Sequence, residues 1–323
     1  MPDRVQLPDR RLKLAFFGTP GLAATHLRAL LDAGDDDVAL VVSQPDRPKG
    51  RGRGLQPTPV KAVAEAAGVE VVQPKKLKDG KLATRLRAEG FDLAVVVAYG
   101  RILPKDLFEA PRFGAWNVHG SILPRHRGAA PIQHAVLEGD AEAGVTLMLL
   151  SEGMDEGDML LVRSTPVGPD ETSGELFGRL AALGARALVE GLRLAKAEGL
   201  ERRPQDPAAA TYAPMLKKSD GRLDLARPAE VLARRVRGLH PWPGAFLETE
   251  KGPLKVHRAR AVPLTEAGAE PGTVASTEGG RLVVATGDGG LELLEVQAPG
   301  KKVMGAGDFL RGSGRGLEPG AQL

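Results

Sequence analysis

The chain has 323 residues, 42% hydrophobic and 26% charged, which is ordinary for a soluble globular protein, and it contains no cysteine. The length accommodates two domains more readily than one. The missing thiols exclude a disulfide framework, a thiolate metal site and a cysteine nucleophile. The formal net charge of +3 is unevenly distributed: residues 1–210 carry 28 basic and 28 acidic side chains, 211–323 carry 16 and 13, and 214–260 alone carries 11 and 5. A basic second part fits a polyanionic partner and a solvated surface equally well.

The opening stretch MPDRVQLPDRR is polar and holds Pro2 and Pro8. With no apolar segment it reads as a disordered extension over residues 1–11, not a secretory signal. The longest apolar run near the middle, Leu93 to Tyr99, is far short of the roughly 20 residues that span a bilayer. The expected location is the cytoplasm, with no membrane contact.

LKLAFFG (12–18) has the pattern of a buried strand, and helical spacing follows over 22–34. Further strands are expected at 38–44, 69–73, 91–100 and 114–120, with helices at 60–68, 81–90 and 104–110 between them. Their continuous Val/Leu/Ala runs indicate strands covered on both faces. The fold class is therefore α/β, a doubly wound, mostly parallel sheet. A helix at 131–137, strands at 144–150 and 158–167, and a long amphipathic helix at 172–199 complete a first domain over 12–199. Residues 200–214, with three prolines, read as a linker. Beyond them a helix at 226–239 precedes short strands at 254–262, 271–277, 280–290 and 291–299. That spacing suggests a small barrel or sandwich over 215–311, and 312–323 reads as a flexible tail.

Asn117 is the chain's one asparagine, two residues before His119 near the end of the strand expected at 114–120. Residues i and i+2 of a strand share a face, and the carboxyl ends of strands in an open α/β sheet line the usual binding crevice. Histidine exchanges protons near neutral pH, and a carboxamide N–H stabilises an oxyanion without titrating. The pair suits acyl transfer through a tetrahedral intermediate. The plainer alternative is a capped turn beside a satisfied histidine. A carboxylate that orients His119 is available in SEGMDEGDML, where Glu152, Asp155, Glu156 and Asp158 all qualify.

SQPDRPKGRGRGLQPTPVK (43–61) sets Arg47, Lys49, Arg51, Arg53 and Lys61 against Asp46 alone, a mobile basic loop suited to phosphate contacts or simply solvated. FFGTPG is not G-x-G-x-x-G, and GRGRG lacks the spacing of a P-loop, so neither a nicotinamide cofactor nor a nucleotide phosphate site is supported. The remaining histidines, His26, His126, His134, His240 and His257, show no recurring ligand spacing, and no metal is expected.

NVHGSILPRHRG resembles the N-x-H-x-S-[LI]-L-P-x-x-R-G signature of the folate-dependent formyltransferases, and GMDEGDML resembles their second element, G-x-D-x-G-D. QPDRPKGRG, VVVAYGRILP and PWPGAFLE are similar to the branch of that family that acts on methionyl initiator tRNA. The likeness runs in order from about Leu12 to about Arg311. It implies a Rossmann-like formyltransferase domain followed by a small OB-like β-barrel domain that offers basic surface to tRNA. It also implies transfer of the formyl group of the co-substrate 10-formyltetrahydrofolate to the α-amino group of methionyl initiator tRNA, by a monomer. By motif match Asn117, His119 and Asp155 form the catalytic trio, which selects Asp155 among the four acids. Ser121, Ile122, Leu123 and Pro124 match the folate-binding segment. Arg47, Lys49, Arg51 and Arg53 lie in the loop with which family members reach the tRNA acceptor stem. The resemblance leaves three rivals. Formylation of an amino-sugar nucleotide would use the same core signature, but the basic loop favours tRNA. Hydrolysis of formyltetrahydrofolate would keep the site. A nucleic-acid-binding protein with a vestigial enzyme domain is disfavoured by the intact trio.

Overall fold

The computed structural model describes residues 3–49, 54–264 and 269–323. The chain divides into two compact units: Met1–Pro131, Ala143–Thr165 and Phe177–Ala213 form the first, and Ile132–Glu142, Pro166–Leu176 and Pro214–Leu323 the second. Residues 132–142 and 166–176, which fall inside the stretch expected to form the first domain, thus belong to the second unit.

The elements run β1 (Arg4–Val5), β2 (Lys13–Gly18), α1 (Gly21–Ala33), β3 (Asp37–Val42), β4 (Arg47–Lys49), β5 (Gly54–Gln56), α2 (Pro59–Ala66), β6 (Val71–Val72), α3 (Lys81–Ala88), β7 (Leu93–Val97), α4 (Lys105–Phe108), β8 (Ala115–His119) and β9 (Arg127–Gly128). They continue with α5 (Pro131–Glu138), β10 (Glu142–Leu149), β11 (Met159–Pro166), α6 (Ser173–Ala197), β12 (Leu200–Glu201) and β13 (Tyr212–Ala213). The main sheet has the order β11-β10-β8-β7-β2-β3-β6. Its centre is parallel, and β10 runs antiparallel to β8. From β2 the chain moves through β3 and β6 on one side and returns through β7 and β8 on the other. The topological switch point, where such sheets bind ligands, therefore lies between β2 and β7.

Period-two side chains explain the layers. Ala15, Phe17, Leu40, Val42, Ala94 and Val96 form one face and pack with Leu82 and Leu86 of α3 and Leu107 and Phe108 of α4. Local chemistry sets the helix ends. Thr58 Oγ1 accepts from the Lys61 N–H at 3.2 Å with Pro59 in the first turn, and α1 stops at Gly34 in the left-handed conformation, φ 66°.

Three stretches expected to be irregular are ordered. In the extension 1–11, described from residue 3, β1 pairs antiparallel with β12, Leu7 is buried, and Arg10 grips Asp92 with two bonds of 2.8 and 2.6 Å. That guanidinium holds the Asp92 carboxyl below the usual range. The polarity that suggested disorder serves ion pairing, and a lone anchor such as Leu7 makes no periodic pattern. The expected linker 200–214 contains β12 and β13, and β13 lies parallel to β9 with Ala213 fully buried. The expected tail 312–323 docks on the second unit: Val274 N–H donates to the Ala321 carbonyl at 2.8 Å, Leu323 N–H donates to that of Gly272 at 3.1 Å, and Leu317 and Leu323 pack on its core. The basic loop after β3 is also partly ordered, because β4 and β5 form a hairpin with Arg47 opposite Gln56.

The second unit adds α7 (Ala229–Gly238), β14 (Ala245–Leu247), β15 (Leu254–Val262), β16 (Val274–Ser276), β17 (Leu282–Ala285), β18 (Gly290–Gln297), β19 (Met304–Gly305) and α8 (Ala306–Arg311). Its antiparallel sheet, ordered β14-β15-β18-β17-β16 with β19 on β18, is kinked by register shifts at Arg258. Leu232 and Val236 of α7 share a core with Val256, Val284, Leu293 and Val296. This is the partly open, small-barrel arrangement expected of an OB-like fold.

Glu292, on β18, is 3% exposed, and cross-strand Arg260 (2.7 Å) and Arg281 (2.8 and 3.0 Å) hold it. Hydrogen bonds from Arg281 and Arg260 lower its carboxyl from the ordinary 4.5 to about 2. A depressed folded pKa contributes stability above the unfolded value and loses it as the pH falls from 4.5 toward 2. Glu292→Gln is expected to destabilise the protein by about 1–3 kcal/mol at neutral pH. By urea unfolding, the gap between variant and wild type shrinks by about pH 3.5.

Candidate active site

The inner strand β8, between β10 and β7, carries the candidate pair at its carboxyl end. Asn117 stands in register with Val96 of β7 and Met148 of β10, and His119 with Thr146 of β10. The two side chains therefore share a face. His119 is 6% exposed and half-buried Asn117 has no hydrogen-bond partner for its carboxamide among the described residues. His119 Nε2–H donates to the His126 carbonyl at 2.9 Å, which presents Nδ1 to Asp155 Oδ2 at 3.5 Å.

Asp155 sits in the loop between β10 and β11. Its backbone is left-handed, φ 54°, a conformation costing a non-glycine residue about 1–3 kcal/mol unless its surroundings hold it. Oδ2 accepts from the Gly128 N–H at 2.8 Å. Gly128 has φ 116°, and a Cβ there would lie 2.9 Å from the Ala213 carbonyl oxygen, so the close approach needs glycine. The neighbouring acids point elsewhere: Glu152 pairs with Lys105, Glu156 lies 3.4 Å from Arg127, and Asp158 pairs with Arg202 at 2.7 Å. Of the four acids that the spacing left open, Asp155 alone is paired with His119 among the described residues.

Loops from three other strand ends are tied together at the switch point. Thr19, after β2, and Gln44, after β3, both donate to the Tyr99 carbonyl after β7, at 3.0 and 2.8 Å. The run matched to folate binding alternates in direction. Ser121 and Leu123 are buried, and Ser121 Oγ donates to the Arg125 carbonyl at 2.6 Å. Thr146 Oγ1 staples the run, donating to the Ser121 carbonyl at 2.7 Å and accepting from the Leu123 N–H at 3.1 Å. The Ser121 and Leu123 side chains thus shape the turn from inside, while Ile122 and Pro124 are half-buried.

In the basic hairpin, Arg47 is exposed and donates to Gln44 Oε1 at 2.9 Å. Lys61 is engaged by Asp46 at 2.7 Å and by Gln73 at 3.2 Å. Arg51, Arg53 and the Lys49 side chain lie outside the described residues. The structure therefore brings His119 and Asp155 together, sets Asn117 on the same face of β8, and shows Arg47 on the hairpin bonded to Gln44. Pattern reading missed Thr146, Arg127 and Gln205, which act through buried hydrogen bonds and leave no periodicity. Among the described residues no group of three or more His, Asp or Glu side chains is arranged to hold a metal ion, and no helix is long and apolar enough to cross a membrane.

Residues 12–192 match the family described as "Formyl transferase" and residues 215–314 its "Formyl transferase, C-terminal domain". The chain belongs to the formyl transferase family. The chain is 49% identical to a methionyl-tRNA formyltransferase of Symbiobacterium thermophilum over 94% of this chain and 93% of that one. It is 51% identical to that of Anaeromyxobacter dehalogenans over 93% and 97%. Among solved structures, an N-formyltransferase from Helicobacter canadensis in complex with folinic acid and dTDP-3-aminofucose aligns with a TM-score of 0.66 over 88% of this chain and 100% of that one. At 14% identity that likeness concerns the fold.

The Asp155 loop depends on Gly157, where a Cβ would lie 1.8 Å from the Leu149 carbonyl oxygen. Gly157→Ala in this formyl transferase is expected to cost about 1–3 kcal/mol of stability by overpacking, read by urea unfolding. A loop displaced by about 1 Å is expected to lose about 10² in turnover, read by formyl transfer per folded molecule.

Proposed function

We propose that the protein transfers the formyl group of 10-formyltetrahydrofolate to the α-amino group of methionyl initiator tRNA, giving N-formylmethionyl-tRNA and tetrahydrofolate for translation initiation. The observation that carries this reading is the identity of about half the residues, through both domains, with methionyl-tRNA formyltransferases. The fold is shared with an enzyme on an amino-sugar nucleotide, but at far lower identity. The enzyme acts in the cytoplasm as a monomer.

The amine nitrogen attacks the formyl carbon and the carbonyl oxygen gains the negative charge. The Asn117 carboxamide, which no protein acceptor engages among the described residues, donates to that oxygen. Because His119 Nε2 is committed to a backbone carbonyl, the ring edge that exchanges the amine proton is Nδ1, beside Asp155. Collapse of the tetrahedral intermediate breaks the bond to N10, which takes up a proton as tetrahydrofolate leaves. The segment Ser121, Ile122, Leu123 and Pro124 forms the folate side of the crevice, chiefly through Ile122, Pro124 and backbone. Arg47, Lys49, Arg51 and Arg53 contact acceptor-stem phosphates, and the basic surface of 214–260 adds long-range attraction.

Formyl transfer from 10-formyltetrahydrofolate to methionyl initiator tRNA is the test, with free methionine as the competing acceptor and His119→Ala as the blank. The reading predicts transfer to charged tRNA and not to free methionine. Release of tetrahydrofolate without formylated tRNA, or transfer to an amino-sugar nucleotide instead, would overturn it. Asn117→Ala is expected to lower kcat about 10²–10³-fold in folded protein, as removal of one oxyanion donor does. Arg51→Ala is expected to raise the KM for tRNA and leave that for folate unchanged. It should also flatten the salt dependence of tRNA binding by about one phosphate contact.

A further inference from the structure

A buried glutamine in the stretch between β12 and β13 ties down the loop that bears Asp155. Gln205 is 9% exposed. Its Nε2 donates to the carbonyl oxygens of Asp155 and Gly157, at 2.7 and 2.8 Å. Its Oε1 accepts from Nε and a terminal nitrogen of Arg127, at 3.0 and 2.8 Å, and Arg127 is itself 4% exposed. A carboxamide supplies two donors and an acceptor in one plane. Glutamate would keep the link to Arg127 but set an oxygen against two carbonyls. Methionine would leave both carbonyls unpaired.

The clamp grips the backbone where it is under tension, because Asp155 is a non-glycine residue at φ 54°. The same stretch also supports the other half of the pair. Thr211 Oγ1 accepts from the His126 N–H at 2.9 Å, and the Thr211 carbonyl accepts from the Arg127 N–H at 2.8 Å. The His126 carbonyl so fixed is the acceptor for His119 Nε2.

We propose that Gln205, held by Arg127, is a positioning residue that sets the Asp155 carboxylate against His119, making residues 205–211 part of the catalytic apparatus. Neither side chain is assigned a contact with substrate. The inference rests on the proposed formyl transfer for its assay.

The test compares Gln205→Met, Arg127→Lys and Asp155→Asn with the wild type, with rates normalised to folded protein by circular dichroism and active fraction. Gln205→Met is expected to lower kcat about 10²-fold while both KM values stay within about threefold. Arg127→Lys keeps the charge but loses the planar fork, and is expected to lose about tenfold in kcat. Gln205→Met combined with Asp155→Asn should be no slower than Asp155→Asn alone, because both remove one function. Turnover per folded molecule within about threefold of wild type in both single variants would overturn the proposal, as would additive losses in the double variant or a change confined to KM. If the wild type formylates another amine in place of charged tRNA, the proposed function fails. The ratios measured on that amine still decide the clamp.

Discussion

Everything at this site depends on one constraint: a carboxylate must be held close to His119 by a backbone that does not relax. Asp155 meets it from a left-handed residue in a loop between antiparallel neighbours, with Oδ2 accepting from the Gly128 N–H. A backbone donor is a stiff anchor, since it moves only with the chain around it. Gly128 can come that close because it has no Cβ, and its own position is set by β13 lying alongside β9. The proposed chemistry thus depends on a pairing of two short strands far apart in sequence, Tyr212 opposite Arg127 and Ala213 opposite Gly128.

That dependence explains how polar groups are distributed around the site. Arg127, Gln205 and Thr146 are buried, and the side chain of each makes two or more hydrogen bonds with ordinary geometry. Burying such groups without partners would be costly, so each fixes its neighbours in one arrangement. Asn117 differs, being half-buried with no partner for its carboxamide among the described residues. Bonded supports around a donor left unbonded are what the proposed oxyanion site requires.

Much of this is legible in the sequence. Apolar runs covered on both faces fixed the parallel sheet, and Asn117 and His119 declared themselves by a two-residue spacing at a strand end. The choice among Glu152, Asp155, Glu156 and Asp158 was not legible from the residues alone, because it turns on which acid meets His119 across the sheet, and only the motif match singled out Asp155. Residues 200–214 resemble a linker for a related reason. Prolines and charges there have the composition of a linker, yet Gln205, Thr211 and Ala213 are held by directional bonds that no periodicity announces. The N-terminal segment fails in the same way, held by Leu7 and the Arg10–Asp92 pair. Ser121 and Leu123 add a detail that the signature does not carry: within the segment matched to folate binding, their side chains are buried in the turn.

These failures share one cause, and it says where function resides in this fold. Periodic patterns report surfaces buried by the hydrophobic effect, which is non-directional and repeats along an element. The geometry of the proposed site is set by directional bonds between residues such as Gln205 and Asp155, 50 positions apart, or Thr211 and His126, 85 apart. Such bonds follow no fixed spacing along the chain and so carry no pattern. A stretch can therefore look like a connector by composition and still determine the position of a reacting group. The buried hydrogen bonds of residues 205–213 give that stretch an order its composition conceals, and with it the positioning role proposed for Gln205.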